Sequence, residues 1–200
     1  MINVNTSLHW GQKYEPLSVL IYEYIYNTKI GEFGCIAHDK YKFIGASPDG
    51  INIDQNSLRY GRMLEIKNVV SREITGIPKK EYWIQMQLQM EVCNLDECDF
   101  LETKFVEYDD YNSYLDDSYE DECSQTHINL STKQQMKGVI IYFHSKEGKP
   151  IYIYKPLDIT DPIKITEWEE NNISLYQSDK YNHTFIKFLY WKQDTNSCVL

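Results

Sequence analysis

The chain lacks any stretch long and apolar enough to span a membrane, and its start, Met-Ile-Asn-Val-Asn-Thr, lacks the basic and apolar regions of a secretory signal. Both absences make an intracellular protein with no membrane partner the expectation. Cysteine is sparse: Cys35, Cys93, Cys98, Cys123 and Cys198 are odd in number and contain no C-x-x-C pair. That disfavours a disulfide framework and a zinc or iron–sulfur cluster, and leaves free thiols. His38, His127, His144 and His183 show no ligand spacing and read as surface or packing residues. There are no internal repeats and no linker. Two hundred residues with 42% hydrophobic and 14% aromatic content suit one domain over residues 1–200 with a full core, and exclude disorder across the whole chain.

Basic charge is also short. Twenty Lys and Arg stand against 30 Asp and Glu, for a net charge of −10, the wrong balance for a protein that grips phosphates. The deficit is local, however. Residues 99–125 hold ten acidic side chains against Lys104 alone, a net of −9, which leaves −1 for the other 173 residues. A nearly neutral body can still place a basic groove beside an acidic site. The run itself, with a loop over 109–132 that has no apolar periodicity, reads as a solvated segment; a partner-binding or DNA-mimicking segment is the sharper alternative.

The informative stretch is residues 45–67. Gly45-Ala46-Ser47-Pro48-Asp49-Gly50 is followed by a turn and then by Arg62-Met63-Leu64-Glu65-Ile66-Lys67. An Asp after a tight turn, then a Glu and a Lys two apart in an apolar run, describes two adjacent strands. Alternate side chains share a strand face, so Glu65 and Lys67 point together while Leu64 and Ile66 point into the core. Asp49, Glu65 and Lys67 can therefore meet. Two carboxylates and the Ile66 carbonyl make a hard oxygen site suited to Mg²⁺ or Mn²⁺, and an adjacent ammonium can activate a water. Taken alone, an E-x-K strand is more often a solvated edge.

Around this stretch, Asn5 and Thr6 offer N-caps to an amphipathic helix over 8–26, with a kink or restart expected at Glu15-Pro16. Residues 33–38 and 42–46 read as a hairpin, Ile51 to Ile53 as a strand, and Leu58 to Lys67 as its returning partner. A helix from Pro78 to about Asn94 should pack Trp83, Met86, Leu88 or Met90, and Val92 inward. Gln85, Gln87 and Gln89 among Met and Trp make an odd solvent face. Gln85 has the better claim to the site, and Gln89 lies four residues on along the same face. A strand over 97–106, a hairpin of 138–144 and 150–155, a helix from Asp161-Pro162 to about Tyr176 and an aromatic segment over 185–191 complete a C-terminal part spanning 136–200. The fold class is α/β: a mixed central sheet holding the site strands, flanked by the 8–26 and 78–94 helices.

The pattern Ser47-Pro48-Asp49-Gly50, Leu64-Glu65-Ile66-Lys67 resembles the P-D-(D/E)-x-K nuclease superfamily, with its restriction-endonuclease-like core, and within it the lambda-exonuclease-like, YqaJ-type viral recombinases. Trp10-Gly11-Gln12-Lys13-Tyr14-Glu15 is similar to that branch's first motif and Tyr82-Trp83-Ile84-Gln85-Met86-Gln87 to its glutamine motif. The resemblance covers roughly residues 10–100. It implies that Asp49, Glu65, the Ile66 carbonyl and Glu15 hold two Mg²⁺ or Mn²⁺ ions, that Lys67 activates the water, and that Gln85 faces the metals. On the residues alone, Glu15 is a surface helix carboxylate and Arg72 an exposed loop arginine. By resemblance, Ser71 and Arg72 belong to a pocket for a terminal 5′-phosphate, and Tyr82 contacts substrate.

The activity so implied is metal-dependent degradation of one strand of duplex DNA, 5′ to 3′ from an end, for viral or phage-type recombination. The partners so implied are duplex DNA ends, a single-strand annealing protein and, through a toroidal assembly, further copies of the chain. An endonuclease of the same fold, nicking or structure-directed, is the alternative, and a non-catalytic interaction module the third reading. Only nine residues precede Trp10, where the family builds part of its phosphate pocket, and the chain stops at Cys198-Val199-Leu200 as an element begins, as a piece of a longer protein would.

Overall fold

The computed structural model describes residues 3–119, 128–194 and the backbone of 198–199. Cys123, His127 and the acidic Glu120, Asp121 and Glu122 lie outside the described residues. In chain order the elements are α1 (Ser7–Tyr26), β1 (Ile30–Gly31), β2 (Ile36–Ala37), β3 (Gly45–Ala46), β4 (Gly50–Asn52), β5 (Met63–Asn68), α2 (Lys80–Cys93) and β6 (Cys98–Thr103). There follow β7 (Phe105–Glu107), α3 (Tyr111–Asp116), β8 (Lys137–His144), β9 (Pro150–Tyr154), α4 (Pro162–Gln177), β10 (Thr184–Gln193) and β11 (Cys198–Val199). They form two compact units: Ser18–Lys104 with Asn196–Leu200, and Met1–Leu17 with Phe105–Thr195. Among the described residues no helix is long and apolar enough to cross a membrane.

The unit of Ser18–Lys104 is built on a mixed sheet in the order β1-β4-β5-β6-β11. β5 pairs antiparallel with β4 and parallel with β6, and α2 makes the crossover between the parallel strands. A strand covered on both faces must be apolar on both, and β5 buries Met63, Leu64, Glu65 and Ile66 in succession. Leu64 and Ile66 pack with Tyr22 of α1 and Leu101 of β6. Met63 faces the other way, packing with Met86 of α2 and Phe100 of β6. The alternation expected from the sequence thus holds, with Glu65 and Lys67 on the α2 side. Ser18 ties α1 to this sheet, its hydroxyl donating to Asn68 Oδ1 at 2.7 Å and lying 2.8 Å from Thr103 Oγ1.

Several boundaries differ from the expectation, each for a local reason. Thr6 caps α1, its Oγ1 accepting from the His9 amide at 3.1 Å, but no restart occurs: the helix continues through Pro16, held by the wholly buried Tyr14, Leu17 and Ile21. The expected hairpin shrinks to β2 and β3, a separate two-stranded ribbon, because Phe33 and Phe43 are exposed and give it no core. Residues 58–62 turn rather than extend, with Gly61 at φ 80° and Leu58 fully exposed. The strand over 97–106 divides at Lys104 into β6 and β7, which belong to different units. Within the stretch read as an acidic loop, Asp110 caps α3 by accepting from the Ser113 amide at 2.7 Å.

The other unit carries an antiparallel sheet, β7-β10-β8-β9. Its core includes Phe105, Val139, Ile140, Ile141, Phe143 and Trp191, and Tyr14 stacks on Phe105 with ring centroids 4.6 Å apart. The C-terminal hairpin, α4 and the aromatic strand all fall where the sequence placed them, within two residues at each end.

Candidate active site

The site lies on the α2 face of β5. Asp49 occupies the bend between β3 and β4, with Pro48 and Gly50 buried on either side. Gly50 is required there: a Cβ would stand 2.2 Å from Ile30 Cγ2, so only glycine lets β4 sit this close to β1. One Asp49 oxygen, Oδ2, accepts from the Ile66 amide at 2.6 Å, which pins the carboxylate beside Glu65 and Ile66. Glu65 is wholly buried. Its Oε1 accepts from Lys67 Nζ in a short ion pair and from Gln85 Nε2 at 2.7 Å, while its buried Oε2 has no partner.

The structure thus brings together four of the residues singled out in the sequence: Asp49, Glu65, Lys67 and Gln85. Negative charge is concentrated enough to be felt nearby. Burial, then Glu65 and Asp99, and further Asp49, push the Cys98 thiol up to about 12. Among the described residues, no three His, Cys, Asp or Glu side chains form a group that could hold a metal ion. The donors on offer are two carboxylates and the Ile66 carbonyl. They fit a hard divalent ion, because a fully buried carboxylate oxygen needs a partner and Oε2 of Glu65 has no hydrogen-bond donor among the described residues. Glu15 lies on the part of α1 that belongs to the other unit, where its charge is felt by Tyr154.

Helix α2 differs from the sequence expectation in a way that explains the site. Met86, Gln89 and Val92 are its buried residues, whereas Trp83 (54% exposed) and Leu88 (62%) face out. Gln85 and Gln89 turn inward because Glu65 and Lys67 stand on the sheet face beneath them, while Gln87 is exposed. Gln85 reaches Glu65, and Gln89, one turn on, donates to the Ser47 carbonyl at 3.3 Å and so holds the loop that carries Asp49.

Tyr82, in the first turn of α2, is ringed by cations. Lys67 Nζ lies 5.2 Å from its ring centroid, Lys79 Nζ 5.9 Å and the Arg72 guanidinium carbon 6.0 Å. Ser71 is exposed. Arg72 is paired to Glu102 of β6 in a short ion pair and donates to the Glu73 carbonyl at 3.2 Å. Glu102 is Lys67's partner in the parallel register and shares its face of the sheet, as Phe100 shares Glu65's.

The stretch read as a solvated acidic run is therefore partly core. Asp99 and Glu102 are 1% exposed. Asp99 accepts from Arg59 and Tyr22 in short hydrogen bonds and from Arg62 at 3.1 Å, and Glu102 accepts from Arg72. The sequence placed Gln89 on the face of Gln85 without giving it a contact, and Glu102 was missed. The available signal was a carboxylate directly after the apolar pair Phe100-Leu101, inside a stretch read as a strand.

Residues 2–96 match the model of the YqaJ-like viral recombinase domain. An uncharacterized protein of Acanthamoeba polyphaga mimivirus is 32% identical over 223 aligned residues, covering 98% of this chain and 40% of that protein. The chain thus spans well under half the length of that relative. A crystal structure of an alkaline exonuclease, LHK-Exo, from Laribacter hongkongensis is 29% identical at a TM-score of 0.42, covering 51% of this chain and 52% of that one. LHK-Exo in complex with dAMP gives 23% identity and a TM-score of 0.43, over 88% and 74% of the two chains. Across residues 2–96, just under half of its length, the chain is thus similar to the YqaJ-like viral recombinase domain.

Proposed function

We propose that the chain is a metal-dependent deoxyribonuclease that degrades duplex DNA from its ends, 5′ to 3′, in the service of viral or phage-type recombination. One observation carries this reading. A wholly buried glutamate keeps one oxygen unsatisfied while Asp49, Lys67 and Gln85 converge on it or beside it. An unpartnered buried carboxylate oxygen is costly, and at Glu65 it stands beside a second carboxylate and an ammonium, the groups that bind a divalent ion and a water.

Asp49, Glu65 and the Ile66 carbonyl are the groups that would hold Mg²⁺ or Mn²⁺, with Glu15 as the third carboxylate that the family resemblance adds for a second ion. A bound divalent ion supplies Lewis-acid stabilisation of charge on the phosphate and on the leaving oxygen. Lys67 orients the attacking water and favours its deprotonated form. The water oxygen bonds to phosphorus, the bond from phosphorus to the 3′-oxygen breaks, and the proton lost from water is matched by one gained at the leaving oxygen. Gln85 holds Glu65 in place from the α2 side. Lys67 and Arg72, each matched to a buried carboxylate, and Lys79 gather around Tyr82, which puts cationic donors where a phosphate would approach despite the acidic total charge. Ser71 and Arg72 receive the terminal 5′-phosphate, a task suited to the guanidinium's fork of donors.

The test is digestion of end-labelled linear duplex and of covalently closed circular duplex, with and without Mg²⁺. Loss of the linear substrate alone, only with Mg²⁺, is expected. Cleavage of the closed circle would replace the exonuclease by an endonuclease of the same fold, and cleavage of neither would leave a non-catalytic module.

A further inference from the structure

Arg72 sits in the loop after β5, where so long and flexible a side chain would ordinarily sweep solvent. Glu102 prevents this. Its carboxylate is 2% exposed against 29% for the arginine side chain, so the anchor is inside the fold and the arginine still reaches out. Phe100, Leu101 and Glu102 lie on a strand paired on both sides, to β5 and to β11, which makes β6 a rigid base. One arm of the guanidinium goes to Glu102 and another to the Glu73 carbonyl, and the Tyr82 ring lies beneath.

As a stabilising device this pair is poor. Taking a carboxylate out of water is costly, the ion pair only partly offsets that cost, and Glu102 Oε2 is buried with no hydrogen-bond partner among the described residues. What such a pair does supply is position, and its register opposite Lys67 sets that position next to the reacting centre.

We propose that Glu102 is a positioning residue for end recognition: it clamps Arg72 against Tyr82 so that the remaining face of the guanidinium is presented, already ordered, to the phosphate at a 5′ terminus. The proposal rests on the reading of Arg72 as the terminal-phosphate group. Glu102 acts through Arg72 and touches no DNA.

The experiment compares rates on duplex ends bearing a 5′-phosphate and a 5′-hydroxyl, as a ratio, for the full chain and its Glu102→Gln, Arg72→Ala and doubly substituted forms. The unsubstituted chain should favour the phosphorylated end by about ten- to hundredfold, the effect of a charge-assisted bidentate contact. Glu102→Gln keeps the shape and one acceptor but not the charge. It should cut the ratio several-fold, the loss appearing in KM for the phosphorylated end. In the Arg72→Ala background the same change should leave the ratio where Arg72→Ala put it. A full ratio in Glu102→Gln, or an equal slowing on both ends, overturns the positioning role while leaving the phosphate reading intact. Equal rates on both ends for the unsubstituted chain overturn that reading and this proposal with it. Should Glu102→Gln fail to fold, Arg72→Lys decides: it keeps the charge but cannot span Glu102 and a phosphate as a fork, so a lost ratio is expected and a retained one overturns the clamp.

Discussion

The two units bury charge in opposite ways. In the unit of Ser18–Lys104 the buried charges are carboxylates with cations brought to them: Glu65 with Lys67, Asp99 with Arg59 and Arg62, and Glu102 with Arg72. In the other unit two of the buried charges are lysines fastened to backbone carbonyls. Lys137 donates to the Tyr114 carbonyl, to that of Asp117 at 2.7 Å and to Ser118 Oγ at 2.8 Å, and Lys155 to the carbonyls of Pro156 and Ile159 at 2.9 and 2.5 Å. The lysines have partners enough and close loops. Glu65 and Glu102 each retain an oxygen with none. The difference separates lysines buried to hold a fold from carboxylates buried at the site, Glu65 to meet an ion and Glu102 to hold Arg72.

The largest effect expected from breaking this contrast is on catalysis. Asp49→Asn or Glu65→Gln should abolish divalent-dependent cleavage, a loss of several kcal/mol of transition-state stabilisation, with the fold intact. Without metal the melting temperature of Glu65→Gln should hold or rise, since a wholly buried charge with an unsatisfied oxygen is removed. Full Mg²⁺-dependent activity in both variants contradicts the assignment. Next is Lys67→Ala, expected to slow single-turnover cleavage of pre-bound DNA by roughly 10²–10⁴-fold with little change in DNA affinity. Removing Lys67 also leaves the buried Glu65 without its cation and should lower stability, so the rate is read per folded molecule; a lysine that is merely structural would leave that rate unchanged, with activity following the folded fraction.

The third effect sets one ion pair against another. Arg72→Ala strands Glu102 inside the fold and should cost about 3–5 kcal/mol, partly recovered by adding Glu102→Gln. Lys192→Ala in the other unit should cost less than about 1 kcal/mol. Its partner Asp117 retains bonds from Tyr108 and Thr132, which with Lys192 outweigh the upward push of burial and hold the carboxyl below its usual range. Denaturant melts of the four proteins check the order, and equal costs for the two single variants would erase the distinction.

How far the sequence alone exposed this contrast depends on distance along the chain. Asp49, Glu65 and Lys67 were legible because the tight bend and the strand alternation are local, and Gln85 because a glutamine among Met and Trp had to be explained. The inward face of α2 was misread for the same reason in reverse: Trp83 and Leu88 look like core until the sheet beneath is known to carry carboxylates. Glu102 and Asp99 were hidden by their acidic neighbours, since the arginines that meet them lie 30 to 40 residues upstream. Charge summed over a window reports that window's composition and nothing of its partners. The division of one expected strand at Lys104 into β6 and β7 has no sequence signal for the same reason, being set by which sheet each half joins.

A smaller effect tests the lysines. Burial lowers the pKa of Lys137 and of Lys155 to about 8, from an ordinary 10.5. A lysine that holds its proton less tightly folded than unfolded opposes folding while charged. That opposition is complete below about pH 8 and fades as pH rises toward the unfolded value, so stability should climb over this window. Between pH 7.5 and 9.2, short of where the tyrosines titrate, the two lysines should outweigh the raised thiols of Cys93 and Cys98, which pull the other way, and the melting temperature should rise, at roughly 2–4 °C for each kcal/mol gained. Lys155→Met should start lower, its carbonyls unsatisfied, and climb less steeply. Parallel slopes in the two proteins would show that Lys155 does not titrate as described.

The central claim is that Asp49 and Glu65, and not merely any buried carboxylate of this unit, receive a divalent ion. Mn²⁺ titration of the DNA-free protein, followed by the loss of the free-ion electron paramagnetic resonance signal, tests it without recourse to activity. The account predicts that the unsubstituted chain and Glu102→Gln both take up Mn²⁺, and that Asp49→Asn and Glu65→Gln bind it far more weakly. Equal uptake by all four proteins, or loss in Glu102→Gln alone, would contradict it.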